Sequence, residues 1–429
     1  MEIKDLYTIF RQSSILSTDT RKIHPGSIFF ALKGENFNGN KFAVEALEKG
    51  AVAAITDEDL PVRHPGLIRV ENTLQTLQRL AEYHRLHSRF TVLAITGSNG
   101  KTTTKELCKA VLSEGFRVFA TEGNLKNHIG VPLTLLAMDS TIDIGIVEMG
   151  ANHPGEIAML CNIAHPDYGL ITNIGKAHLE GFGGIEGVAR AKGELFSYLM
   201  KNRKVIFLNC GDPRVRKLVP ESYANLVCYN GEGGPQAREV QSVPRLHVGI
   251  NYGQKTVSLE TNLIGSYNTE NILAACGVGM HMGITMDGLV KALQSYQPQN
   301  NRSQYIDTGR NNLYMDAYNA NPSSMQAAID EFLRFNGTNK LLIIGEMREL
   351  GATARQEHEK LIATLKESKL SRVICIGRSF ESLAPEAGYL YFENVDLLNE
   401  YLRQNPVMNS FILVKGSRSN RLENVLQVL

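Results

Sequence analysis

The segment AITGSNGKTTTKE, residues 94–106, has the residue types and spacing of a loop that holds phosphate. It lies between the apolar run VLAIT and the stretch TTKELCKAVL, which has the pattern of a helix. In a strand–turn–helix of this kind, backbone N–H groups and the positive end of the helix dipole face an anion. Gly97 and Gly100 let the backbone approach phosphate closely, and Lys101 is placed to reach terminal phosphates. The Thr102 hydroxyl is a candidate Mg²⁺ ligand, so the segment predicts nucleotide binding.

One position departs from the common phosphate-loop pattern G-x-x-x-x-G-K-[ST]. Its first glycine is expected at position 95, which is Ile95, so the loop is a shortened G-x-x-G-K-T. A plain Gly-rich turn is the alternative, and the strand–turn–helix context favours nucleotide binding. Ser98, Asn99 and Thr103 complete the set of predicted contacts in the phosphate loop.

Three further segments carry side chains that could serve the same chemistry. Glu148 ends the apolar run DIGIVE. Ligands gather at the carboxyl ends of parallel strands, so Glu148 is expected to hold the same Mg²⁺ as Thr102. The alternative is an acid that caps a turn. His178 follows another apolar run in LITNIGKAHLEGFG, although a lone histidine is more often structural. Lys192, in ARAKGELF, lies on a predicted helix; taken alone it is expected to be a solvated surface lysine.

The elements that must position these residues predict an α/β fold with three domains. Residues 1–88 form a small N-terminal α/β domain, and the charged stretch LAEYHRLHSRF leads out of it. Residues 89–298 alternate apolar strands with helices, which predicts a central parallel-sheet domain with the phosphate loop. Within it, residues 239–264 show the alternation of an antiparallel ribbon. Residues 299–429 alternate again and predict a C-terminal, Rossmann-like α/β domain.

Composition restricts the classes of partner. Lys+Arg is 45 and Asp+Glu is 44 in 429 residues, so no strong net charge attracts nucleic acid or an anionic membrane. No apolar run is long enough to span a bilayer, and MEIKDLYTIF lacks the apolar core of a signal peptide. The six cysteines form no C-x-x-C pair and most lie in apolar runs, which predicts reduced core thiols in a cytoplasmic protein.

In order along the whole chain, these motifs resemble the Mur ligases, ATP-dependent enzymes that build the cell-wall peptide of bacteria on a UDP-sugar. TGSNGKTTTKE looks like the phosphate loop of that family, in which the shortened spacing is normal. VEMGANHPGEI, ITNIGKAHLEGFG and AKGELF resemble its magnesium-glutamate, histidine and lysine segments. The resemblance implies that Glu148 holds one Mg²⁺, that His178 ligates a second, and that Lys192 is carbamylated and supports the second ion.

The resemblance also implies the substrates. TEGNLKNHIGVPLTLL and DAYNANPSSM are similar to segments of the family that serve the joining of D-alanyl-D-alanine to UDP-N-acetylmuramoyl-tripeptide, and residues 1–88 resemble the uridine-nucleotide domain. The resemblance implies that Asn271 contacts the adenine of ATP, Arg302 its γ-phosphate and Asp316 its ribose. Two departures stand out: Asn38-Gly39-Asn40 replaces the usual acid-Gly-His, and Tyr267 stands where a histidine is usual. The implied substrate contacts are Ser17, Asp19, Arg21, Lys33, Asn124, Asn127, Asn319, Asn321, Lys415 and Ser417.

Two of these segments also have a purely structural interpretation. DAYNANPSS also reads as a turn that starts a helix. Lys415, at a strand end, suits the terminal carboxylate of the dipeptide; a solvated lysine beside a helix cap is the alternative.

The implied reaction activates a carboxylate. Transfer of the γ-phosphoryl group of ATP gives an acyl phosphate, which the amine of the dipeptide attacks, and phosphate leaves. Lys101, Arg302 and the metals would offset charge as two anions meet, and three domains around one site imply closure of a monomer on its substrates.

Three other classes stay open. A folylpolyglutamate synthetase-like ligase would lack the uridine domain, which residues 1–88 argue against. A P-loop kinase or NTPase would need its own base-specificity motif, and N-K-x-D is absent. The third class is a non-catalytic binding protein.

Overall fold

The computed structural model describes residues 1–13, 15–176, 179–242, 244–299, 301–335, 337 and 339–429. It is built of helices and largely parallel sheets, which confirms the predicted α/β class and its three regions. The predicted boundaries at 88/89 and 298/299 fall between the sheets of these regions, and their exact positions stay a prediction.

The N-terminal region is a parallel sheet with the strand order β1-β2-β5-β6, flanked by a short hairpin of β3 and β4. The side chain of Asn72 accepts a hydrogen bond from the Gln75 N–H (2.8 Å) and starts the last helix. The elements are α1 (Ile3–Gln12), β1 (Leu16–Ser17), β2 (Ile28–Phe30), β3 (Lys33–Gly34), β4 (Phe37–Asn38), α2 (Ala43–Glu48), β5 (Ala53–Thr56), β6 (Leu67–Arg69) and α3 (Thr73–Leu86).

The central region is a parallel sheet with the strand order β12-β11-β10-β7-β9-β8. Its elements are β7 (Thr91–Thr96), α4 (Lys101–Leu112), β8 (Val118–Ala120), α5 (Gly130–Leu136), β9 (Ile144–Glu148), α6 (Glu156–Ala164), β10 (Tyr168–Ile171), α7 (Leu179–Phe182), α8 (Ile185–Lys201), β11 (Val205–Asn209), α9 (Pro213–Arg216) and β12 (Leu226–Tyr229). β7 lies between β9 and β10, in register with Ile95 opposite Glu148. The loops that follow these three strands therefore meet at one edge of the sheet.

An antiparallel ribbon, as predicted, and two helices connect the central sheet to the last one. These are β13 (Gln236–Gln241), β14 (His247–Tyr252), β15 (Lys255–Glu260), α10 (Asn268–His281) and α11 (Met286–Ser295). The C-terminal sheet has the order β16-β17-β21-β18-β19-β20, parallel except for β16. Its elements are β16 (Gln304–Asp307), β17 (Asn312–Asp316), α12 (Pro322–Arg334), β18 (Lys340–Gly345), α13 (Ala354–Glu367), β19 (Val373–Ile376), α14 (Leu383–Glu386), β20 (Leu390–Phe392), α15 (Val395–Gln404) and β21 (Phe411–Lys415).

The N-terminal and central regions share one hydrophobic core. Leu77 and Leu80 of α3 are buried in the same cluster as Val131 and Leu135 of α5. The charged stretch that leads out of the first domain is mostly the second half of α3, where Leu80 and Ala81 face this core. His84 and Arg85 are buried as well, because His84 bonds the Met138 carbonyl and Arg85 pairs with Asp167. The N-terminal sheet is thus fixed to the domain that carries the phosphate loop.

The prediction for the cysteines was wrong for two of them. Cys210 and Cys228 form a disulfide, whereas Cys108, Cys161, Cys276 and Cys375 are buried free thiols. β11 and β12 are parallel neighbours, and the register that pairs Leu208 with Cys228 brings Cys210, just beyond β11, to a Cα–Cα distance of 5.8 Å. Over the described ranges, no helix is both long and apolar enough to cross a membrane.

Candidate active site

The phosphate loop has the predicted strand–turn–helix geometry, between β7 and α4. Gly97 has φ +140° and Gly100 has φ +77°, a backbone region that side chains rarely tolerate. A Cβ at Gly97 would lie 2.0 Å from Thr172 Oγ1, and one at Gly100 would lie 2.5 Å from Asn271 Oδ1. Both positions therefore require glycine.

Hydrogen bonds to the loop that follows β10 hold the phosphate loop in this shape. The Ser98 N–H donates to the Asn173 carbonyl (3.0 Å), and Ser98 Oγ donates to the Gly175 carbonyl (3.1 Å). The Asn99 N–H donates to Asn173 Oδ1 (3.0 Å). Lys101 Nζ folds back and donates to the carbonyls of Gly97 (2.6 Å) and Ser98 (2.9 Å). These hydrogen bonds hold the loop in one shape, and the ammonium group of Lys101 is bound to carbonyls of the loop itself.

Thr102 and Glu148 are brought together as predicted. Thr102 Oγ1 donates to Glu148 Oε2 at 2.9 Å, and Glu148 is buried at the end of β9. Burial raises the pKa of Glu148, but Lys126 and Lys101 lower it further, so the net pKa lies below its ordinary value and the group is a carboxylate.

The chemistry of this pair fits a divalent cation. Glu148 Oε1 is buried and has no hydrogen-bond partner among the described residues, so a hard oxygen ligand is left available. In the described part of the chain, no three acidic, histidine or cysteine side chains form a metal-holding group of their own. A Mg²⁺ here would be bound by Thr102 and Glu148 and would take its other ligands from phosphate and water.

Lys192 is buried rather than solvated, so the reading of this residue as a surface lysine was wrong. Its Nζ donates to the Ala151 carbonyl (3.2 Å) and lies 5.3 Å from the centre of the Phe182 ring. Burial, followed by the charge of Lys126, lowers its pKa to about 8. A lysine with this pKa is partly neutral near physiological pH and can react as an amine.

The C-terminal region contributes a second group of charges. The Arg302 guanidinium lies 3.6 Å from the centre of the Tyr318 ring, and its buried Nε has no partner among the described side chains. Asp316, at the end of β17, accepts a hydrogen bond from the Ser303 N–H (3.2 Å) and pairs with Lys415. Lys415 is thus already neutralised, and its predicted contact with the dipeptide carboxylate stays a prediction.

The predicted asparagines fix one element to another. Asn271 accepts from Thr104 Oγ1 (2.9 Å) and donates to Asn268 Oδ1 (2.7 Å), which locks α10 against α4. Asn321 caps α12 through the Ser324 N–H, as the reading of its segment as a turn predicted, and donates to Asn99 Oδ1 (2.8 Å). Asn321 therefore ties the C-terminal sheet to the phosphate loop.

The remaining predicted contacts have similar local partners. Asn124 accepts from Tyr318 Oη (3.4 Å), and Asn127 Oδ1 accepts the N–H of Gly130 at the start of α5 (2.9 Å). The Asn319 carbonyl accepts from Lys415, and Ser417 Oγ accepts from the Arg348 N–H (2.9 Å).

These groups line one cavity of about 1010 Å³ between the central and C-terminal regions. The predicted residues at its wall are Ser98, Asn99, Gly100, Lys101, Thr102, Thr103, Asn124, Asn127, Glu148, Lys192, Asn271, Arg302, Asp316, Asn319, Asn321 and Lys415. Among the described residues, sequence reasoning missed Lys126, Tyr318, Arg348 and Arg418, which also line it. The only signal for Lys126 was its place in the quoted segment GNLKNH.

The predicted uridine contacts lie apart from this cavity. Ser17, Asp19, Arg21 and Lys33 are described and are not among its lining residues. Asp19 caps a short 3₁₀ helix and pairs with the exposed Arg21 (2.8 Å), whereas Lys33 pairs with Asp57 (2.9 Å) on the β3–β4 hairpin side. His178 lies outside the described residues.

The departure at Asn38-Gly39-Asn40 has a structural explanation. Asn40 is buried; its Nδ2 donates to Asp57 Oδ1 (2.8 Å), and its Oδ1 accepts from the Asp57 N–H (3.1 Å). Asn38 donates to Glu58 (3.1 Å). The two asparagines hold neighbouring acids in place.

Fold and cavity together define a nucleotide-dependent enzyme with its reaction centre between two α/β domains. The descriptions of the matching family models are Mur ligase family, catalytic domain (residues 12–85), Mur ligase middle domain (residues 95–279) and Mur ligase, glutamate ligase domain (residues 301–418). The UDP-N-acetylmuramoyl-tripeptide–D-alanyl-D-alanine ligase of Bacillus subtilis is 34% identical over 96% of this chain and 92% of its own.

Two solved structures resemble the whole chain. MurF from Acinetobacter baumannii has a TM-score of 0.87 at 28% identity and covers 99% of this chain and 97% of its own. MurF ligase from Thermotoga maritima in complex with ADP has a TM-score of 0.86 at 29% identity and covers 98% and 97%. The chain therefore belongs to the Mur ligase family, whose members are ATP-dependent, ADP-forming ligases.

Proposed function

We propose that the protein joins D-alanyl-D-alanine to UDP-N-acetylmuramoyl-tripeptide through an acyl phosphate, in the synthesis of the peptidoglycan precursor. The observation that carries the proposal is the convergence on one cavity of the phosphate loop, Glu148, Lys192 and Arg302. The names of the relatives that resemble the whole chain support the choice of substrates.

The phosphoryl transfer is assigned to groups at the edge of the central sheet. The N–H groups at the start of α4 hold the phosphates of ATP, and Lys101 leaves the carbonyls of Gly97 and Ser98 to contact the terminal phosphate. Arg302 lines the same cavity, and its Nε has no hydrogen-bond partner among the described residues, so this side chain is proposed to donate to the γ-phosphoryl oxygens. Mg²⁺ at Thr102 and Glu148 supplies charge neutralisation when bound. The residues thus align two anions that would otherwise repel each other.

Lys192 is proposed to act as its carbamate and to support a second cation together with His178. Only the neutral amine adds CO₂, and the lowered pKa of Lys192 provides that form. Its burial beside Ala151 keeps the modified group at the cavity wall.

The C-terminal region is proposed to present the dipeptide. Asn319, Asn321 and Lys415 line the cavity near the end of β21, and Ser417 lies beside them and donates to the Ala320 carbonyl (3.5 Å). After the amine of the dipeptide attacks the acyl phosphate, phosphate leaves. We further propose that the protein acts as a monomer in the cytoplasm.

The test is the release of ADP by the purified protein with each combination of substrates. We expect ADP and amide product only when UDP-N-acetylmuramoyl-tripeptide and D-alanyl-D-alanine are both present. ADP release without the dipeptide would indicate a kinase or NTPase, and amide formation with folate and glutamate would indicate the folylpolyglutamate synthetase alternative.

A further inference from the structure

Lys126 is held in an unusual position at the reaction centre. It lies in the loop between β8 and α5, where its N–H donates to the Asn124 carbonyl (2.9 Å) and its carbonyl accepts from the Gly150 N–H (2.8 Å). A Cβ at Gly150 would lie 3.0 Å from Lys126 Cγ and Cδ. The aliphatic stem therefore passes directly over Gly150, just beyond the end of β9, where a side chain at position 150 would press against it.

This stem directs the ammonium group at one of the oxygens that a metal would bind. Lys126 Nζ lies 3.5 Å from Glu148 Oε1, the buried oxygen that has no hydrogen-bond partner among the described residues. The Lys126 side chain is 28% exposed, so it can turn into the cavity, whereas Glu148 is 1% exposed and fixed by Thr102. A cation and a divalent metal at the same oxygen exclude each other.

Lys126 also acts electrostatically on two other lysines of the site, Lys101 and Lys192. Its charge is, after burial, the largest cause of the lowered pKa of both Lys101 and Lys192. Lys101 lies in the phosphate loop, and Lys192 lies where the proposed function places the second cation. Lys126 lines the same cavity as both of them, and its ammonium group lies beside Glu148.

We propose that Lys126 is a further catalytic residue, which holds Glu148 in the free enzyme and contacts the reacting carboxylate and γ-phosphoryl oxygens once a divalent cation binds Glu148. This inference rests on the proposed function. In the step concerned, a carboxylate oxygen forms a bond to the γ-phosphorus, and the bond from that phosphorus to the bridging oxygen breaks. Its electron pair leaves with ADP. The ammonium group of Lys126 lowers the repulsion between the two anions as the new bond forms.

Two measurements on Lys126→Met test the proposal. Loss of the competing cation should tighten the binding of Mn²⁺ to nucleotide-free enzyme roughly tenfold, because Glu148 Oε1 is left without a counter-charge. The same change should lower kcat by about 10²-fold, the size expected for one positioned donor. Lys126→Arg keeps the charge and should retain most of kcat, and Lys291→Met removes an exposed lysine outside the cavity and should change neither value. Mn²⁺ binding is measured by electron paramagnetic resonance, and kcat by ADP release with both substrates.

Weaker Mn²⁺ binding together with a lower kcat in Lys126→Met would indicate a structural role and overturn the proposal. A kcat within threefold of the unmodified enzyme would overturn it as well. Lys126→Gln, which is shorter and polar, serves as the second variant if Lys126→Met does not fold. Failure of the proposed function is a separate result, since it appears as the absence of product from the unmodified enzyme, while the Mn²⁺ titration needs no substrate.

Discussion

The pKa of Lys192 leads to a quantitative prediction about its reaction with CO₂. An amine with a pKa of about 8 is neutral in roughly a quarter of the molecules at pH 7.5, whereas one at the ordinary value of 10.5 is neutral in about one per thousand. The burial of Lys192 thus raises the reactive fraction roughly 250-fold over that of a surface lysine. We expect a single dominant carbamate when the protein is equilibrated with ¹³C-bicarbonate, observed as one ¹³C resonance that is absent from Lys192→Ala.

The same reasoning fixes the sign of the pH dependence. Because burial lowers the pKa, the ammonium form predominates below pH 8 and the neutral form above it. Carbamate and activity should therefore be lost together as the pH falls from about 8 towards 6, and the loss should begin at higher pH in buffer depleted of CO₂.

Replacing Lys192 should also change the kinetics of the enzyme. Lys192→Ala should lower kcat by about 10²-fold or more, and formate or acetate should restore part of it by replacing the lost anion. Lys201→Ala, at the exposed end of the same helix α8, is the control and should keep full activity. A Lys192→Ala enzyme with the kcat of the unmodified protein, or one that keeps the carbamate resonance, would refute the reasoning.

Three further predictions concern the phosphate loop, Arg302 and the cysteines. Gly100→Ala should raise the KM for ATP about tenfold or more and lower the free energy of unfolding in urea by about 1–3 kcal/mol, because its Cβ would lie 2.5 Å from Asn271. Gly155→Ala is the control: Gly155 has φ +87° but no atom within 4 Å of the new Cβ, so only the free energy of unfolding should fall. Arg302→Lys keeps the charge but loses Nε, so kcat/KM for ATP should fall roughly 10–100-fold, and an unchanged value would remove Nε from nucleotide contact. Alkylation of the denatured protein should modify four cysteines without reductant and six after reduction, and six in both cases would exclude the Cys210–Cys228 disulfide.

The residues that the sequence predicted well are those whose neighbours are set by chain order. The phosphate loop is strand, turn and helix in consecutive residues, and the two glycines mark the positive φ angles that it requires. Glu148 could be placed because the ends of parallel strands meet at one edge, and its contact with Thr102 follows from that rule. Their roles in catalysis stay predictions until they are measured.

The features that the sequence did not reveal depend on contacts between distant segments. Lys126 lies in a loop without a pattern of its own, and its side chain reaches Glu148 by passing over Gly150, which follows a different strand. Cys210 and Cys228 meet because β11 and β12 are neighbours, which their spacing alone does not show. Lys192 was read as a surface residue because the burial of one helical position depends on what packs over it.

The central claim is that a substrate carboxylate receives the γ-phosphoryl group of ATP in the cavity. It is tested most directly by labelling the reacting carboxylate of UDP-N-acetylmuramoyl-tripeptide with ¹⁸O and analysing the released phosphate by mass spectrometry. We predict that each phosphate formed with amide product carries one ¹⁸O from the carboxylate, because the carboxyl C–O bond breaks when the amine attacks. Amide product accompanied by unlabelled phosphate would contradict the account.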